Sequence, residues 1–290
     1  MSRLESFGGF SLGVFGLFFL LFPLMGGMLL LEIGIFPVAI FSRDLAAGIM
    51  GGYCRLIMRA CMWMARTGNP HAVEIVGFSG ANSGTFSKNE SIIVVSNHIC
   101  SFDTVLLFMV SDRLGKSPRF VAKSGLRWIP VVGWGMLLSN YLFVKRAWRE
   151  DSARMRRWCQ NQNSAVSLIL YPEGSRYTEK KREKSAEFSR RKNLPVLENV
   201  LFPRTKGYSL CVETLPSPPF TSVLNVTVVY LVNGVKKDPP SLWRTLLCRV
   251  PGTFKVVLER ARIDEALKKE NYLLEKFQEK DRMIEGYKNR

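Results

Sequence analysis

The segment Ser96-Asn97-His98-Ile99-Cys100-Ser101-Phe102-Asp103 contains an imidazole and a carboxylate, two groups that together can act as a general base. His98 and Asp103 are five residues apart, about 140° around a continuous helix, so they cannot meet inside one helix. They can meet across a strand–turn–helix junction, where a carboxylate in the first helical turn accepts a hydrogen bond from one imidazole nitrogen. That contact fixes the tautomer of His98 and leaves its other nitrogen free to take a proton.

The residues between this pair decide which other chemistries remain open. Ser101 is predicted to cap the helix, and Cys100 is predicted to be a small apolar neighbour because no thiolate-stabilising group is evident. A lipid hydrolase with a Ser-His-Asp triad is the sharpest rival, yet the sequence contains no G-x-S-x-G nucleophile elbow. A His near an Asp is often only structural, so a catalytically silent membrane-binding protein also remains open.

Three further motifs bring cations to the ends of apolar runs. Tyr171-Pro172-Glu173-Gly174-Ser175-Arg176 follows the run 166–170, and Lys145-Arg146 ends the run that begins at Asn140. Leu201-Phe202-Pro203-Arg204-Thr205-Lys206-Gly207 is predicted to be a loop bounded by Pro and Gly. An Arg guanidinium can bind a phosphate through two parallel hydrogen bonds, so Arg at a strand end indicates recognition of a phosphorylated ligand.

The elements that position these motifs alternate from residue 73 onward, which is typical of an α/β domain. Runs rich in β-branched residues predict strands at 73–76, 91–95, 119–122, 141–144, 166–171, 223–230 and 253–258. Predicted helices cover 103–113, 152–162, 185–192 and 263 to about 287. We therefore expect an α/β domain with a mixed sheet flanked by helices over 73–260, followed by a C-terminal helix over 261–290.

The N-terminal part of the chain is apolar enough to be embedded in a membrane. Residues 7–31 carry no charge, and these 25 residues exceed the ~20 that cross a hydrocarbon core as a helix. The uncharged run resumes at 33–42 after Glu32. A cleaved signal peptide is the competing interpretation, but the run is too long and no small-residue cleavage site follows it.

The sequence leaves two conformations possible for this N-terminal segment, because it contains helix-breaking residues. Pro23, Gly26-Gly27 and Pro37 permit either one kinked span or a shallow two-helix hairpin. Glu32 is expected to be an interfacial charge at a helix end. The expected membrane-anchoring unit is residues 1–72, with a hydrophobic part over 7–42 and an amphipathic helix along the membrane surface over 44–66.

Charge and cysteine content limit the expected partners. The 290 residues carry 41 Lys and Arg against 24 Asp and Glu, and residues 1–42 hold only one Arg and two Glu, so the rest carries the whole positive excess. Such a basic body is attracted to anionic lipids or nucleic acid, but no nucleic-acid-binding motif accompanies the charge. Six Cys without a C-x-x-C pair and two His support neither a metal site nor a disulfide scaffold.

In their order along the chain, these motifs resemble the sequence blocks of the glycerolipid acyltransferases, a family that includes 1-acylglycerol-3-phosphate, lysocardiolipin and lysophosphatidylinositol acyltransferases. The resemblance covers about residues 73–260, with a further family segment from Lys123 to Gly133. The four blocks are Asn97-His98 with Asp103, Phe143 to Arg146, Tyr171 to Arg176, and Leu201 with Pro203 to Gly207. Ile99-Cys100-Ser101 departs from the Gln or Arg followed by Ser or Thr that many members carry.

The resemblance implies a membrane-bound enzyme that transfers an acyl group from acyl-CoA to a lysophospholipid hydroxyl. The expected acceptor is 1-acyl-sn-glycerol-3-phosphate, with lysophosphatidylinositol or lysocardiolipin as alternatives. His98 and Asp103 are the implied catalytic pair; the implied substrate-binding residues are Lys123, Arg146, Glu173, Gly174, Ser175, Arg176 and Arg204. Acyl-CoA is then a co-substrate and no cofactor or metal is required. The expected partners are acyl-CoA, the lysophospholipid and a lipid bilayer, without nucleic acid, and the expected location is the endoplasmic reticulum membrane.

Overall fold

The computed structural model describes residues 13–77, 86–162, 165–264 and 271–288. Within these ranges the strands are β1 (Val73–Val76), β2 (Ser91–Ser96), β3 (Ser117–Lys123), β4 (Leu142–Val144), β5 (Val166–Leu170), β6 (Phe220–Val232), β7 (Val235–Lys236) and β8 (Thr253–Arg262). The helices are α1 (Phe22–Phe41), α2 (Arg43–Gly68), α3 (Asp103–Arg113), α4 (Val132–Leu138), α5 (Trp148–Gln160), α6 (Glu179–Arg191), α7 (Thr205–Thr214), α8 (Leu242–Leu247) and α9 (Tyr272–Glu285). A π-helical turn (Leu17–Leu21) precedes α1, and a 3₁₀ turn (Ser124–Trp128) follows β3.

The strands form one mixed sheet in the order β1-β8-β6-β2-β5-β3-β4, with β7 paired to β6. The neighbours β6, β2, β5, β3 and β4 run parallel to one another, whereas β8 is antiparallel to β6. The expected fold class, an α/β fold with a mixed sheet flanked by helices, is confirmed.

β2 lies in the middle of this sheet because both of its faces are apolar. Ile92 and Val94 belong to the core cluster that also contains residues of α1, α2 and α3, whereas Ile93 and Val95 belong to the cluster on the other face, with α5, α7 and α9. Successive side chains of a strand point to opposite faces, so a continuous apolar run predicts a strand covered on both sides. The loop that follows β2 is thus fixed to the most buried part of the protein.

The helices depart from the predictions at several places. α4 and α8 form where no helix was predicted, and α5 and α6 begin four and six residues earlier than predicted. Thr205-Lys206-Gly207, predicted as loop, begins α7, because Pro203 ends the preceding segment and a Cβ at Gly207 would lie 3.6 Å from Met155 Cε of α5. Gly207 therefore contributes a close helix–helix contact rather than a chain break. The C-terminal helix predicted from residue 263 is present as α9, although residues 265–270 lie outside the described residues and β8 continues to Arg262.

α1 and α2 form an antiparallel helical hairpin. Ser42 separates them in an extended conformation and accepts a hydrogen bond from Leu45 N (3.3 Å), while Tyr53 Oη donates to Leu24 O (3.0 Å) across the pair. Among the described residues one helix, Gly13–Phe41, is long and apolar enough to cross a membrane by length and composition. It passes through Pro23 and Pro37 without interruption, so the hairpin turn lies at Ser42 and not at the predicted breakers.

Glu32 is not the interfacial charge at a helix end that we expected. It lies in the middle of α1, only 1% exposed, on the face that also buries Met28 and Ile35. A Cβ at Gly135 of α4 would be 3.0 Å from Glu32 Oε1, so the carboxyl group packs against α4. The periodicity of α1 puts residues 28, 32 and 35 on one face, which only the neighbouring helices show to be the buried one.

Asn97 connects the end of β2 to the central strand β6. Its side chain is fully buried; Nδ2 donates to Val228 O and Oδ1 accepts from Val228 N, both at 2.8 Å. Two main-chain groups of β6 therefore depend on this one amide for their hydrogen bonds.

We expect Asn97→Ala to lower the free energy of unfolding by about 2–4 kcal/mol, because it leaves a buried N–H and a buried C=O of Val228 without partners. Urea unfolding of the purified protein measures this change. The matched control is Asn161→Ala, which removes an exposed hydrogen bond to Arg157 O that water can replace, at a cost below about 0.5 kcal/mol. Equal effects of the two substitutions would contradict the role of Asn97.

Candidate active site

The predicted functional residues follow strands whose carboxyl ends meet at one edge of the sheet. β2, β5, β3 and β4 are parallel neighbours in this order. His98 follows β2, the 171–176 motif follows β5, Lys123 ends β3, and Arg146 follows β4. In open α/β sheets the carboxyl edge is where ligands bind, so the topology brings the candidate residues to the expected place.

His98 and Asp103 are in contact, as the spacing predicts. His98 Nδ1 lies 2.9 Å from Asp103 Oδ2, and the Asp103 side chain is fully buried at the start of α3. The same Oδ2 accepts hydrogen bonds from Ile99 N (2.7 Å) and Cys100 N (3.0 Å). The same carboxylate oxygen therefore closes the turn between β2 and α3 and orients the imidazole of His98.

Two residues inside this turn, Ser101 and Cys100, differ from each other in their contacts. Ser101 does not cap the helix, because α3 begins after Phe102 and has no side-chain cap, and Ser101 Oγ instead accepts from Arg176 Nη1 (2.7 Å). Asp103, the first residue of α3, instead binds the amides of Ile99 and Cys100 in the turn that precedes the helix. Burial, with the Asp103 charge next, raises the pKa of the Cys100 thiol well above its ordinary value, so Cys100 stays protonated at neutral pH.

The His98 ring stacks on Tyr171, with ring centroids 4.2 Å apart and an interplanar angle of 23°. Tyr171 in turn stacks on Phe120 of β3 at 6.3 Å. Pairing of β2 with β5, which places Val95 opposite Leu170, brings the two ring-bearing loops side by side. The sequence shows Tyr171 within a motif, but this ring contact depends on strand pairing and was missed.

Glu173 holds the main chain of His98. Its Oε1 accepts from His98 N at 3.1 Å, and its side chain is buried. Burial raises the pKa of the Glu173 carboxyl well above its ordinary value, although the His98 amide and the charge of Lys280 favour the ionised form. The resemblance implies a substrate-binding role for Glu173; the contact that the structure shows is with the main chain of the His98 loop.

Lys280 of α9 is a buried cation beneath this loop, and sequence reasoning missed it. It is 1% exposed and donates to Val226 O at 2.6 Å, and Val226 pairs with Ser96 in the sheet. Burial lowers the pKa of Lys280 to about 7, while the nearby carboxylates of Glu259 and Glu173 favour its charged form. A local signal was present: Lys280 falls at helical spacing on the face of Leu273, Phe277 and Ile284, the apolar stripe that α9 buries.

Gly174 and Arg204 form the next contact of the site. Gly174 has φ +71°, a left-handed conformation that favours glycine, and a Cβ there would lie 3.2 Å from Arg204 Cζ. Arg204 N donates to Pro172 O, and Gly174 N donates to Tyr171 O, both at 2.9 Å. The Arg204 guanidinium thus covers the 171–176 turn.

Arg176 and its neighbours join the 171–176 turn to the His98 loop. Arg176 is exposed and reaches Ser101, and Tyr177 N donates to His98 O at 2.7 Å. Ser175 is half-exposed between them. A continuous chain of contacts therefore unites six of the predicted residues at one place: His98, Asp103, Glu173, Gly174, Arg176 and Arg204.

Lys123 and Arg146 lie farther along the same edge, on the third and fourth strands counted from β2, and both are exposed. Arg146 has φ +68° in a loop that Asp151 closes by accepting from Lys145 N (2.9 Å) and Ala147 N (3.0 Å). Asp151 is a positioning residue that sequence reasoning missed; its place in the first turn of a helix after a strand repeats the signal of Asp103.

Comparison with known proteins places this site in a family. Residues 80–222 match the family described as Acyltransferase. The 1-acyl-sn-glycerol-3-phosphate acyltransferase epsilon of Mus musculus is 31% identical over 223 residues, covering 69% of this chain and 59% of the relative. Lysocardiolipin acyltransferase 1 of Danio rerio is 30% identical over 154 residues, covering 51% and 40%. The chain belongs to the glycerolipid acyltransferase family.

A further relative of this family member is the probable 1-acyl-sn-glycerol-3-phosphate acyltransferase 5 of Arabidopsis thaliana, 29% identical over 207 residues, which are 68% of this chain and 54% of the relative. The chain spans about half the length of the curated relatives it matches. Among solved structures, the 1-acyl-sn-glycerophosphate acyltransferase of Thermotoga maritima is 21% identical, covers 91% of this chain and 95% of its own, and gives a TM-score of 0.47.

The acyltransferase-family domain has no cluster of three or more His, Cys, Asp or Glu side chains that could hold a metal ion, as far as the described ranges extend. Several main-chain amides of the His98 loop and the 171–176 turn already donate to acceptors within the chain. Gly174 N donates to Tyr171 O, and Ile99 N and Cys100 N donate to Asp103. Any oxyanion donor of this acyltransferase-family site must therefore come from other groups near the turn.

We expect Glu173→Ala to lower both the free energy of unfolding, by about 1–3 kcal/mol, and the activity, because it removes the acceptor of the buried His98 N–H. Glu173→Gln keeps an oxygen at the same place and should stay close to the original protein in both measurements. Urea unfolding and initial rates of acyl transfer give the two values. If Gln and Ala are equally damaging, the carboxylate charge and not the hydrogen bond is what matters.

Proposed function

We propose that this chain is a membrane-bound O-acyltransferase that uses acyl-CoA to esterify the free hydroxyl of a lysophospholipid. The observation that carries the proposal is the 2.9 Å contact between His98 Nδ1 and Asp103 Oδ2, beside the 171–176 turn, which carries Arg176 and is covered by Arg204. An imidazole held by a buried carboxylate is a general base, and exposed guanidinium groups suit the phosphate of a lysolipid. The first acceptor to test is 1-acyl-sn-glycerol-3-phosphate, which would give phosphatidic acid.

In the proposed reaction, His98 Nε2 removes the proton of the acceptor hydroxyl as its oxygen attacks the thioester carbonyl of acyl-CoA. The carbon–oxygen bond forms, the tetrahedral intermediate collapses, and the carbon–sulfur bond breaks to release the CoA thiolate. Asp103 keeps the imidazole in the required tautomer and stabilises the imidazolium. The imidazolium then returns its proton to the thiolate or to solvent, and no acyl-enzyme is needed.

The substrate-binding roles rest on position. Arg176 and Arg204 lie next to the His98 loop, so we assign them to the acceptor phosphate. Lys123 and Arg146 lie farther along the edge and suit a longer substrate or a second phosphate. Glu173 and Gly174 shape the 171–176 turn, and Ser175 lies in the same turn between Gly174 and Arg176. This arrangement lets the acceptor hydroxyl approach His98 while its phosphate stays on the cations.

We also propose that the protein resides in the endoplasmic reticulum membrane. Support comes from the apolar side chains that α1 leaves exposed, among them Ile33, Phe36 and Ile40. An apolar surface of this kind is stable in contact with lipid rather than water. Fluorescence microscopy of the tagged full chain with an endoplasmic reticulum marker tests the compartment.

We expect His98→Ala to abolish acyl transfer and Asp103→Asn to reduce it by ~10²–10⁴-fold, the range that general-base catalysis contributes. Asp103→Asn spoils the tautomer control and removes the charge that stabilises the imidazolium. The measurement is the formation of labelled phospholipid from acyl-CoA and lysophospholipid by the purified protein. His71→Ala is the matched control, because His71 is the other of the two histidines in the chain and is exposed.

The same assay separates the competing functions. A panel of 1-acyl-sn-glycerol-3-phosphate, lysophosphatidylinositol and lysocardiolipin ranks the acceptors, and the lysocardiolipin relative justifies including the last. Release of fatty acid without CoA would instead indicate a hydrolase, and no turnover with any substrate would indicate a scaffold. Near-normal rates from purified His98→Ala would overturn the mechanism.

We expect Arg176→Ala to reduce kcat/KM for the lysophospholipid by about 10- to 150-fold, since a hydrogen bond to a charged group contributes ~1.5–3 kcal/mol. Arg176→Lys keeps the charge but not the two-pronged geometry, so its loss should be smaller yet measurable. Steady-state kinetics with each substrate varied in turn provide the comparison. Arg190→Ala, an exposed cation on α6, controls for general electrostatics. An increase in KM confined to acyl-CoA would reassign Arg176 to the CoA phosphates.

A further inference from the structure

A second apolar surface lies outside the N-terminal helices, directly after β3. We call it the Trp128 surface, and its exposed members are Trp128, Ile129, Pro130, Val132 and Leu137. Trp128 is 73% exposed and Ile129 is 46% exposed. Contiguous large apolar side chains in water usually mark a contact site, because scattered single residues, not clusters, are what ordinary surfaces carry.

The exposure of these side chains is built into the backbone. Ile129 N donates to Leu126 O (3.0 Å), Gly133 N donates to Ile129 O (2.8 Å), and a Cβ at Gly133 would lie 1.9 Å from Leu126 O. The 3₁₀ turn and the start of α4 are therefore locked together by main-chain contacts. Because that frame is fixed, the outward direction of Trp128 and Ile129 follows from the fold.

The Trp128 surface is continuous with the apolar hairpin. α4, which carries Val132 and Leu137, packs against both α1 and α2. The contact with α1 is close, since a Cβ at Gly135 would lie 2.1 Å from Met28 Cε. α1 itself exposes large apolar side chains along its free face. Two neighbouring, mutually packed elements thus present apolar groups outside the protein core.

Charge around the Trp128 surface suits an anionic lipid interface. The Arg127 guanidinium lies 5.1 Å from the centroid of the Trp128 ring, and Lys123 is exposed at the end of β3. Tryptophan with adjacent cations is the combination that favours the boundary between headgroups and acyl chains. Basic residues near such a surface add electrostatic attraction to anionic headgroups.

The same strand connects this surface to the candidate site. Phe120 of β3 stacks on Tyr171, and Tyr171 stacks on His98. β3 then ends at Lys123 and enters the 3₁₀ turn that carries Trp128. The Trp128 surface therefore lies at the carboxyl edge of the sheet, the edge that holds His98.

We propose that the Trp128 surface is a second membrane contact, inserted at the headgroup level of the bilayer, which holds the site edge against the membrane. The consequence of this contact rests on the proposed function: a lysophospholipid would reach His98 without leaving the bilayer interface. α1 supplies attachment, and the Trp128 surface sets the orientation of the body.

Contact quenching by brominated lipids tests this directly. The full chain is bound to vesicles of phosphatidylcholine and phosphatidylglycerol with or without bromine on the acyl chains. Trp128→Phe should remove a large part of the quenched emission, whereas Trp158→Phe should not, because Trp158 is half-buried and donates to Asn140 O. Equal quenching of the original protein and Trp128→Phe would overturn the proposal.

A kinetic comparison tests the consequence. Trp128→Ser should raise the apparent KM for a long-chain lysophospholipid in vesicles several-fold and leave kcat/KM for a short-chain, water-soluble acceptor unchanged. Met283→Ser is the matched control, an exposed apolar residue of α9 on the opposite face of the sheet. An equal loss with both acceptors would contradict the membrane role.

Two further outcomes are distinguishable. If Trp128→Ser converts a detergent-solubilised dimer into a monomer, measured by light scattering, the surface contacts a second copy and the proposal fails. If Trp128 is quenched by brominated lipid but no acyl transfer occurs with any substrate, the membrane contact stands and the proposed function fails.

Discussion

The buried carboxylate of Asp103 is the constraint on which the candidate site depends. A carboxylate without exposed surface is costly to bury unless donors surround it, and here the donors are the His98 ring and the amides of Ile99 and Cys100. Satisfying this one group therefore fixes both the turn and the imidazole. The geometry that a general base needs is a consequence of the same hydrogen bonds that end β2 and start α3.

His98 is held from every side by different parts of the chain. Glu173 accepts from its amide, Tyr177 donates to its carbonyl, Tyr171 stacks on its ring and Asp103 binds its Nδ1. Each contact comes from a loop that follows a neighbouring parallel strand or from the start of α3. Preorganisation of this kind means that little rearrangement is required before a proton is transferred.

The apolar hairpin and the sheet edge that carries the candidate site are parts of one packed unit. Residues of α1 and α2 share a core cluster with β2 and α3, and α4 contacts both helices of the hairpin next to the end of β3. The hairpin and the elements that carry the candidate site are thus connected through well-packed side chains. Close packing fixes the position of the candidate site relative to the hairpin. The depth of the hairpin in a membrane would therefore set the distance of the site from the membrane surface.

The sequence by itself determined what is local in this protein. Strand patterning predicted the central strand β2 and the turn after it. The five-residue spacing predicted the contact between His98 and Asp103, because it leaves few conformations in which the two side chains can meet. Glu173 and Arg176 were recognisable because they stand in a Pro-Glu-Gly turn after an apolar run, which resembles a family block. Their partners were not: Glu173 binds a residue 75 positions earlier, and Arg176 binds Ser101, also 75 positions away.

Only the tertiary structure decided those pairings, along with three features that local patterns predicted wrongly. Ser101 looks like a cap until its contact with Arg176 is seen, Gly207 looks like a breaker until its packing on α5 is seen, and Glu32 looks interfacial until α4 covers it. The physical reason is common to all of them. A polar group or a glycine takes its role from the atoms that surround it, and strand order and helix packing choose those atoms.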